Sequence, residues 1–174
     1  MFKTILVATD GSNHAYKALL TAANLASKYD AKLIVLHVLM HGKVPEAFRH
    51  MAEFEHLVEP EKSQTMDLRN IPSNLAIMLS NVETGSDERR FYAIVGDNII
   101  EDSKRKAKEG GAQHIVTKTA EGDAAEQIMR HANDEQVDLI VMGTRGLGEI
   151  KGLLVGSVTH KVMQLAECPC LTVK

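Results

Sequence analysis

The sequence predicts an α/β fold, in which helices cover both faces of a parallel sheet. Short, continuous apolar runs such as Leu33–Leu36 are typical of parallel strands that are buried on both faces. Stretches with apolar residues at helical spacing follow these runs, as Ala15, Leu19 and Ala22 do after the first one. The alternation of strands and helices indicates a parallel sheet with right-handed crossovers.

The beginning of the chain predicts a complete strand–helix–strand unit. Phe2–Ala8 is the first strand, and the turn that follows ends in Ser12, a residue type that caps helix N-termini. We expect a helix from about Asn13 to Lys28 and a second strand at Lys32–Val38.

The stretch from about 40 to 95 is long for a single crossover, and we interpret it as an insertion. Helices are expected at Ala47–Leu57 and, interrupted by Pro72, at Asp67–Leu79. A polar break follows at Glu83–Asp87. A lid over a ligand, a subunit interface and a partly disordered segment are all compatible with this composition.

A helix is also expected on the C-terminal side of the insertion. Phe91–Val95 suits either a strand or the start of a helix, because its periodicity does not decide. Asp97 is expected to cap a helix that ends at about Glu109, before Gly110 and Gly111.

The remainder of the chain returns to regular alternation. The third strand is expected at His114–Thr117, and a helix from Gly122 and Asp123 to about Ala132 follows it. Val137–Met142 is the fourth strand, Val158–Ala166 the last helix and Cys168–Val173 the fifth strand.

Length and composition are those of an ordinary globular protein. The 174 residues indicate a single domain, 1–174, and the net charge of −3 without a basic patch argues against a nucleic-acid partner. No apolar run reaches the length of a membrane span, and the N-terminus leads straight into a strand rather than a signal peptide. Cys168 and Cys170 are too close to staple the fold, so we expect reduced thiols and a cytoplasmic protein.

The pattern Gly-x2-Gly-x9-Gly-Ser lies between the fourth strand and the last helix. It consists of Gly143, Gly146, Gly156 and Ser157. Glycines let main-chain N–H groups approach a ligand, and a helix start adds free donors and partial positive charge. Ser157 suits either a helix cap or a hydroxyl donor to the same anion. The pattern predicts a phosphate site, the alternative being a strand-to-helix turn without a ligand.

Five segments, in the same order along the chain, resemble the universal stress protein family in its ATP-binding branch. They are Ile5–Ser12, Leu36–Val38, Met142–Gly146, Leu154–Thr159 and Cys168–Val173, and they leave residues from about 40 to 95 uncovered. The resemblance implies a flavodoxin-like three-layer sandwich with strand order 3-2-1-4-5. It also implies ATP with Mg²⁺ as ligand, a homodimer joined along the last strand, and a role in the response to stress.

Topology then places the ligand. Ligands on such sheets bind beyond the carboxyl ends of the strands, where the strand order reverses, which here is between strands one and four. Asp10 and Gly143 directly follow those two strands. The resemblance places Asp10 near the ribose or metal-bound phosphates, whereas an Asp before a Gly is otherwise a turn residue.

The resemblance also assigns roles to the remaining residues. Val38 would hold the adenine through its main chain, and Ala8 would line the base pocket. Arg145 would offset phosphate charge or extend into solvent. The expected ligand-binding residues are Ala8, Thr9, Asp10, Val38, Gly143, Thr144, Arg145, Gly146, Leu147, Gly148, Gly156, Ser157, Val158 and Thr159.

The sequence has no motif for a P-loop, a dinucleotide site or a metal site. There is no Gly-x4-Gly-Lys-Ser/Thr and no Gly-x-Gly-x-x-Gly after the first strand. The histidines of the insertion lack metal-ligand spacing, and His37 is expected in the core or at a sheet edge. Asp10 is the one carboxylate expected near the phosphates, so fast catalysis is not expected. The alternatives to an ATP-binding response protein are an interaction module that binds no nucleotide and a slow ATPase. The downstream protein partner is not identified by the sequence.

Overall fold

Five parallel strands form a sheet in the order β3-β2-β1-β4-β5. The structure is a computed structural model that describes residues 1–39, 85–147 and 155–174. The strands are β1 (Thr4–Thr9), β2 (Lys32–Leu39), β3 (His114–Glu121), β4 (Leu139–Gly143) and β5 (Cys170–Val173). The helices are α1 (Asn13–Tyr29), α2 (Gly85–Glu109), α3 (Ala124–Asp134) and α4 (Ser157–Leu165). The predicted strand order is confirmed.

Helices pack on both faces of the sheet, because successive side chains of each strand point to opposite faces. One cluster of buried residues joins Ile5, Val7, Leu33, Val35 and Val141 to alanines of α1 and to Ala107 of α2. The other joins Leu6, Ile34, Leu36 and Ile140 to Ile128 of α3 and Val162 of α4. Each fully buried Leu or Ile contributes about 2 kcal/mol relative to an exposed one. The three-layer α/β sandwich is therefore confirmed.

The helix before β3 differs from its prediction. Asp97 was expected to cap it, but α2 begins at Gly85, so Asp97 and Phe91–Val95 lie inside the helix and most of the predicted break at Glu83–Asp87 is helical. Gly96 also lies inside α2, where a Cβ would lie 2.6 Å from Leu39 Cδ2 and 3.2 Å from His37 Cδ2. This glycine allows α2 to lie close to β2.

Several other boundaries also move. β3 continues to Glu121, because it pairs with β2 along its whole length. β4 begins at Leu139 rather than Val137, since the Asp138 carboxylate accepts hydrogen bonds from the amides of Lys3 and Thr4 at the start of β1. β5 begins at Cys170, after Pro169, which has no N–H group to donate.

The chain divides into two compact units, Met1–Gly42 with Gly96–Lys174, and Lys43–Val95. The first unit contains the sheet. Of the second unit, the described residues are those at the start of α2. The helices predicted at Ala47–Leu57 and Asp67–Leu79 lie outside the described residues. The single domain 1–174 with an insertion at about 40–95 stays a prediction.

A search for membrane-spanning helices gave a negative result for the described part of the chain, where no helix is both long and apolar enough to cross a bilayer.

Candidate functional site

The candidate site lies at the carboxyl ends of β1 and β4, which are neighbours in the sheet. From β1 the chain continues to β2 on one side, and from β4 it continues to β5 on the other. The two connections therefore diverge and leave a crevice between them. Two segments border it: the β1–α1 turn (Thr9–Ser12) and the glycine loop, defined here as Gly143–Leu147.

The β1–α1 turn is fixed by its own side chains. The amide of Gly11 donates to Thr9 Oγ1 at 3.3 Å, and Gly11 has a φ of 83°, which a glycine adopts without strain. Ser12 Oγ accepts from the Ala15 amide at 3.3 Å, so Ser12 caps α1 as predicted. Thr9 and Ser12 are buried, so the turn is held by contacts within the protein.

The glycine loop is anchored to β5 and to α4. The Thr144 amide donates to Val173 O at 2.8 Å, and the Gly156 amide donates to Thr144 O at 2.7 Å. Thr159 Oγ1 donates to Gly143 O at 2.9 Å. Three donors that were predicted for phosphates are thus used within the protein, because they hold the loop against its neighbours. In particular, the hydroxyl hydrogen of Thr159 is committed to Gly143 rather than available to a ligand.

Gly143 is required by the packing of α1. A Cβ at this position would lie 2.8 Å from the main-chain carbon of His14 and 2.9 Å from the Ala15 nitrogen. Both atoms are main chain, so they cannot move without displacing the helix. Because Gly143 has no side chain, the start of α1 can pack against the end of β4. The two loops that border the crevice are therefore close to each other.

Asp10 joins the two loops. Its Oδ1 accepts from the Ser12 amide at 3.0 Å, and its Oδ2 accepts from the Leu147 amide at 2.9 Å. Asp10 was predicted to contact the ligand, but both of its carboxylate oxygens already have main-chain donors. The Leu147 amide, predicted as a phosphate donor, is one of them.

The start of α4 provides the free donors of the site. Its N-cap is Gly156, which makes no side-chain hydrogen bond, whereas α1 is capped by Ser12 and α3 by Asp123. Ser157 was considered as the cap, but it is the first residue of the helix and its side chain is exposed. The amides of Ser157 and Val158 therefore have no capping side chain, and the helix dipole adds partial positive charge beside them.

Small apolar side chains lie on the same face of the sheet as α4. Ala8 of β1 and Val38 of β2 are half-buried and pack on the cluster that contains Val162. Ala120, the partner of Val38 on β3, and Val158, in the first turn of α4, pack on it too. An apolar surface beside free amides suits a ligand with a flat ring and an anionic group.

The predictions for Arg145 and Gly148 have different outcomes. Arg145 is half-buried and forms no ion pair with the described residues. Gly148 lies outside the described residues.

Within residues 1–39, 85–147 and 155–174, no three histidine, cysteine or acidic side chains are grouped so that they could hold a metal ion.

His37 lies in the core, which is one of the two positions predicted for it, but its contact with the end of β1 was not predicted. It lies in β2, one strand in from the edge, and is 4% exposed. Its Nδ1–H donates to Thr9 O at 2.8 Å, so the histidine holds the end of β1. Burial lowers the pKa of His37, although the bond to Thr9 and the nearby Asp10 charge oppose this effect. The available signal was the register, in which Thr9, the last residue of β1, pairs with His37 of β2.

These features define a doubly wound α/β protein in which a helix start without a side-chain cap lies beside the reversal of strand order. The model of the universal stress protein family matches residues 1–174. Universal stress protein YxiE of Bacillus subtilis is 36% identical over 174 residues, which cover 100% of both chains. The protein belongs to the universal stress protein family.

Two solved structures show the same fold. A universal stress protein in complex with cAMP has a TM-score of 0.59 and 24% identity, over 99% of this chain and 96% of that one. The universal stress protein of Archaeoglobus fulgidus in complex with dAMP has a TM-score of 0.57 and 15% identity, over 100% of this chain and 98% of that one.

Proposed function

We propose that this protein binds an adenine nucleotide, specifically ATP with Mg²⁺, and acts in the response to stress or nucleotide state. The observation that carries the proposal is the start of α4. Its first amides have no capping side chain, and they adjoin the glycine loop at the carboxyl end of β4. A phosphate group would accept hydrogen bonds from these amides and interact favourably with the helix dipole.

The apolar surface formed by Ala8, Val38, Ala120 and Val158 supports adenine as the base. Half-buried apolar side chains would cover one face of the ring, and the main chain of Val38 would contact its edge. The complexes of related proteins with cAMP and dAMP support this choice of base.

The acidic group of the site favours binding over catalysis. Each oxygen of Asp10 accepts a hydrogen bond from a main-chain amide, so this carboxylate is used to hold the two loops together. A Mg²⁺ ion would be held chiefly by phosphate oxygens and would offset their charge. Arg145 would contribute further positive charge.

We also propose that two copies pair along β5. This strand is at the edge of the described sheet, and α4, which precedes it, exposes Met163 by 49% and Leu165 by 54%. An edge strand beside exposed apolar side chains is suited to pairing with a second strand.

A cytoplasmic location and a downstream protein partner complete the proposal. Cys168 and Cys170 are free thiols, and burial raises the pKa of both. The thiols therefore stay protonated and unreactive, as is usual in a reducing compartment.

Isothermal titration tests nucleotide binding directly. Nucleotide-free protein is titrated with ATP in the presence of Mg²⁺, then with ADP, AMP and GTP as comparison ligands. We expect saturable heat with the adenine nucleotides and weaker binding of GTP. Absence of heat at millimolar ATP, with a native circular dichroism spectrum, would contradict the proposal. Phosphate release is measured on the same samples, and release at the rate of the protein-free control is expected.

A further inference from the structure

The contact between Asp10 and the glycine loop links residues that are 137 positions apart in the chain. Asp10 Oδ1 is held by the Ser12 amide of its own turn, which fixes the direction of the carboxylate. Oδ2 then accepts from the Leu147 amide at 2.9 Å. Hydrogen bonds to an ionised acceptor are about twice as strong as neutral ones. The contact is therefore strong enough to position one loop relative to the other.

Gly146 makes room for this contact. A Cβ at Gly146 would lie 2.2 Å from Asp10 Oδ2 and 3.4 Å from Asp10 Cγ. Among the described residues, no other atom outside its chain neighbours comes within 4 Å of that point. The φ of Gly146 is not in the left-handed region. Space for the carboxylate, rather than backbone conformation, therefore requires a glycine here.

Gly143 and Gly156 differ from Gly146 in this respect. A Cβ at Gly143 would strike the main chain of α1, whereas one at Gly156 would make ordinary contacts of 3.5 Å with Thr144 O. The three glycines of the motif thus have three different physical roles.

We propose that Asp10 and Gly146 form a lock that presets the glycine loop for phosphate, and that Gly146 is small because of Asp10 rather than because of the ligand. The claim that the loop is preset for phosphate deepens the proposed function and rests on it. The lock between Asp10 and Gly146 does not depend on the proposed function. Asp10 is accordingly a positioning residue: it acts through the Leu147 amide and does not touch the nucleotide.

A double-mutant cycle on the nucleotide-free protein tests the lock. The variants are Asp10→Ala, Gly146→Ala and the double variant, each unfolded with urea. Either single substitution breaks the contact and should lower the urea midpoint. Once Asp10 is replaced, the added methyl group has space, so the double variant should be no less stable than Asp10→Ala. Additive losses would overturn the lock, because Gly146 would then be needed for a reason other than Asp10.

The amide proton of Leu147 supplies a spectroscopic signature. In the wild-type protein, a bond to a carboxylate should shift this resonance downfield. Asp10→Ala and Gly146→Ala should both lose the shift. Asp97→Ala, which removes an exposed carboxylate on α2, should retain it. A Leu147 resonance that is unchanged in Asp10→Ala would overturn the lock.

The same double-mutant cycle is then measured as the Kd for ATP of the wild type and the three variants. We expect each single variant to raise the Kd at least tenfold, since a charge-assisted bond no longer holds the loop. The double variant should lie within about twofold of Asp10→Ala, and the ratio of Kd values with and without Mg²⁺ should stay that of the wild type.

Two results would overturn the ligand-related part. If Gly146→Ala weakens ATP binding by the same factor in both backgrounds, the methyl group meets the phosphate. If Asp10→Ala abolishes the effect of Mg²⁺, Asp10 is a metal ligand. If the stability losses of the two substitutions are non-additive but the protein binds no ATP, the lock stands and the proposed function is wrong. If the losses are additive and the protein binds ATP, the lock is wrong and the proposed function stands.

Discussion

Replacing Gly156 by Asp should separate nucleotide binding from folding. Gly156 has φ −69° and ψ 157°, the extended conformation of an N-cap, and a Cβ there would make only ordinary contacts. An Asp at this position is expected to cap α4 by accepting from its second or third amide. The carboxylate would then occupy the donors that we assign to phosphate.

The size of the effect follows from the charge. At about 5 Å and an effective dielectric constant of about 20, a carboxylate raises the free energy of one bound phosphate charge by about 3 kcal/mol. This corresponds to roughly a hundredfold in Kd. Stability should change in the other direction, since an Asp cap is better than a Gly cap by a few tenths of a kcal/mol.

Titration calorimetry with ATP and urea unfolding together measure both quantities. Gly156→Asn should give an intermediate Kd, because it can cap the helix without adding charge, and Gly156→Ala should have the smallest effect of the three. Gln113→Glu is the matched control for charge: the residue is exposed and precedes β3, at the opposite end of the strands. A folded Gly156→Asp protein that binds ATP as tightly as the wild type would refute the reasoning.

Three further predictions concern the dimer and the pH dependence of stability. The amides of Ile140 and Thr144 donate to the carbonyls of residues 169 and 173, so by alternation the N–H of Thr172 points away from β4. Thr172→Pro should therefore give a monomer mass by light scattering with the fold retained, and an unchanged dimer mass would contradict pairing along β5. Hydrogen bonds from Lys118 and then Lys32 lower the pKa of Glu135 from 4.5 to about 2, so this stabilisation is full above pH 4.5 and is lost as the pH falls towards 2. Urea midpoints of Glu135→Gln should accordingly vary less with pH in this range than those of the wild type, and parallel curves would count against the ion pairs. The pKa of buried His37 lies below its ordinary 6.5, so the wild type should lose stability as the pH falls through 6.5. His37→Asn keeps a donor for Thr9 O but does not titrate, so a pH dependence equal to that of the wild type would contradict the assignment.

The sequence predicted the parts of the fold that depend on local patterns. Apolar runs located all five strands, and Ser12, a residue type that forms caps, located the start of α1. Local patterns misled where a residue serves a distant contact. Asp97 was predicted to cap α2, but it lies inside the helix, and Gly96 beside it allows α2 to approach Leu39 and His37.

The same division applies to the site. The spacing of Gly143, Gly146 and Gly156 indicated the loop and the helix start. It did not indicate that Asp10 would use the Leu147 amide, because that bond joins residues far apart in the chain. Nor did it show that the amides of Thr144 and Gly156 are used to anchor the loop. These contacts depend on how β1 and β4 are brought together, and residue spacing carries no such information.

The central claim is that main-chain amides at the start of α4 hold the phosphates of a nucleotide. Its most direct test is a titration of ¹⁵N-labelled, nucleotide-free protein with ATP, followed by amide resonances. We predict saturable shifts that are largest for Gly146, Ser157 and Val158, with smaller shifts for Ala8 and Val38. Saturable shifts confined to other parts of the chain, or no shifts at millimolar ATP, would contradict the account.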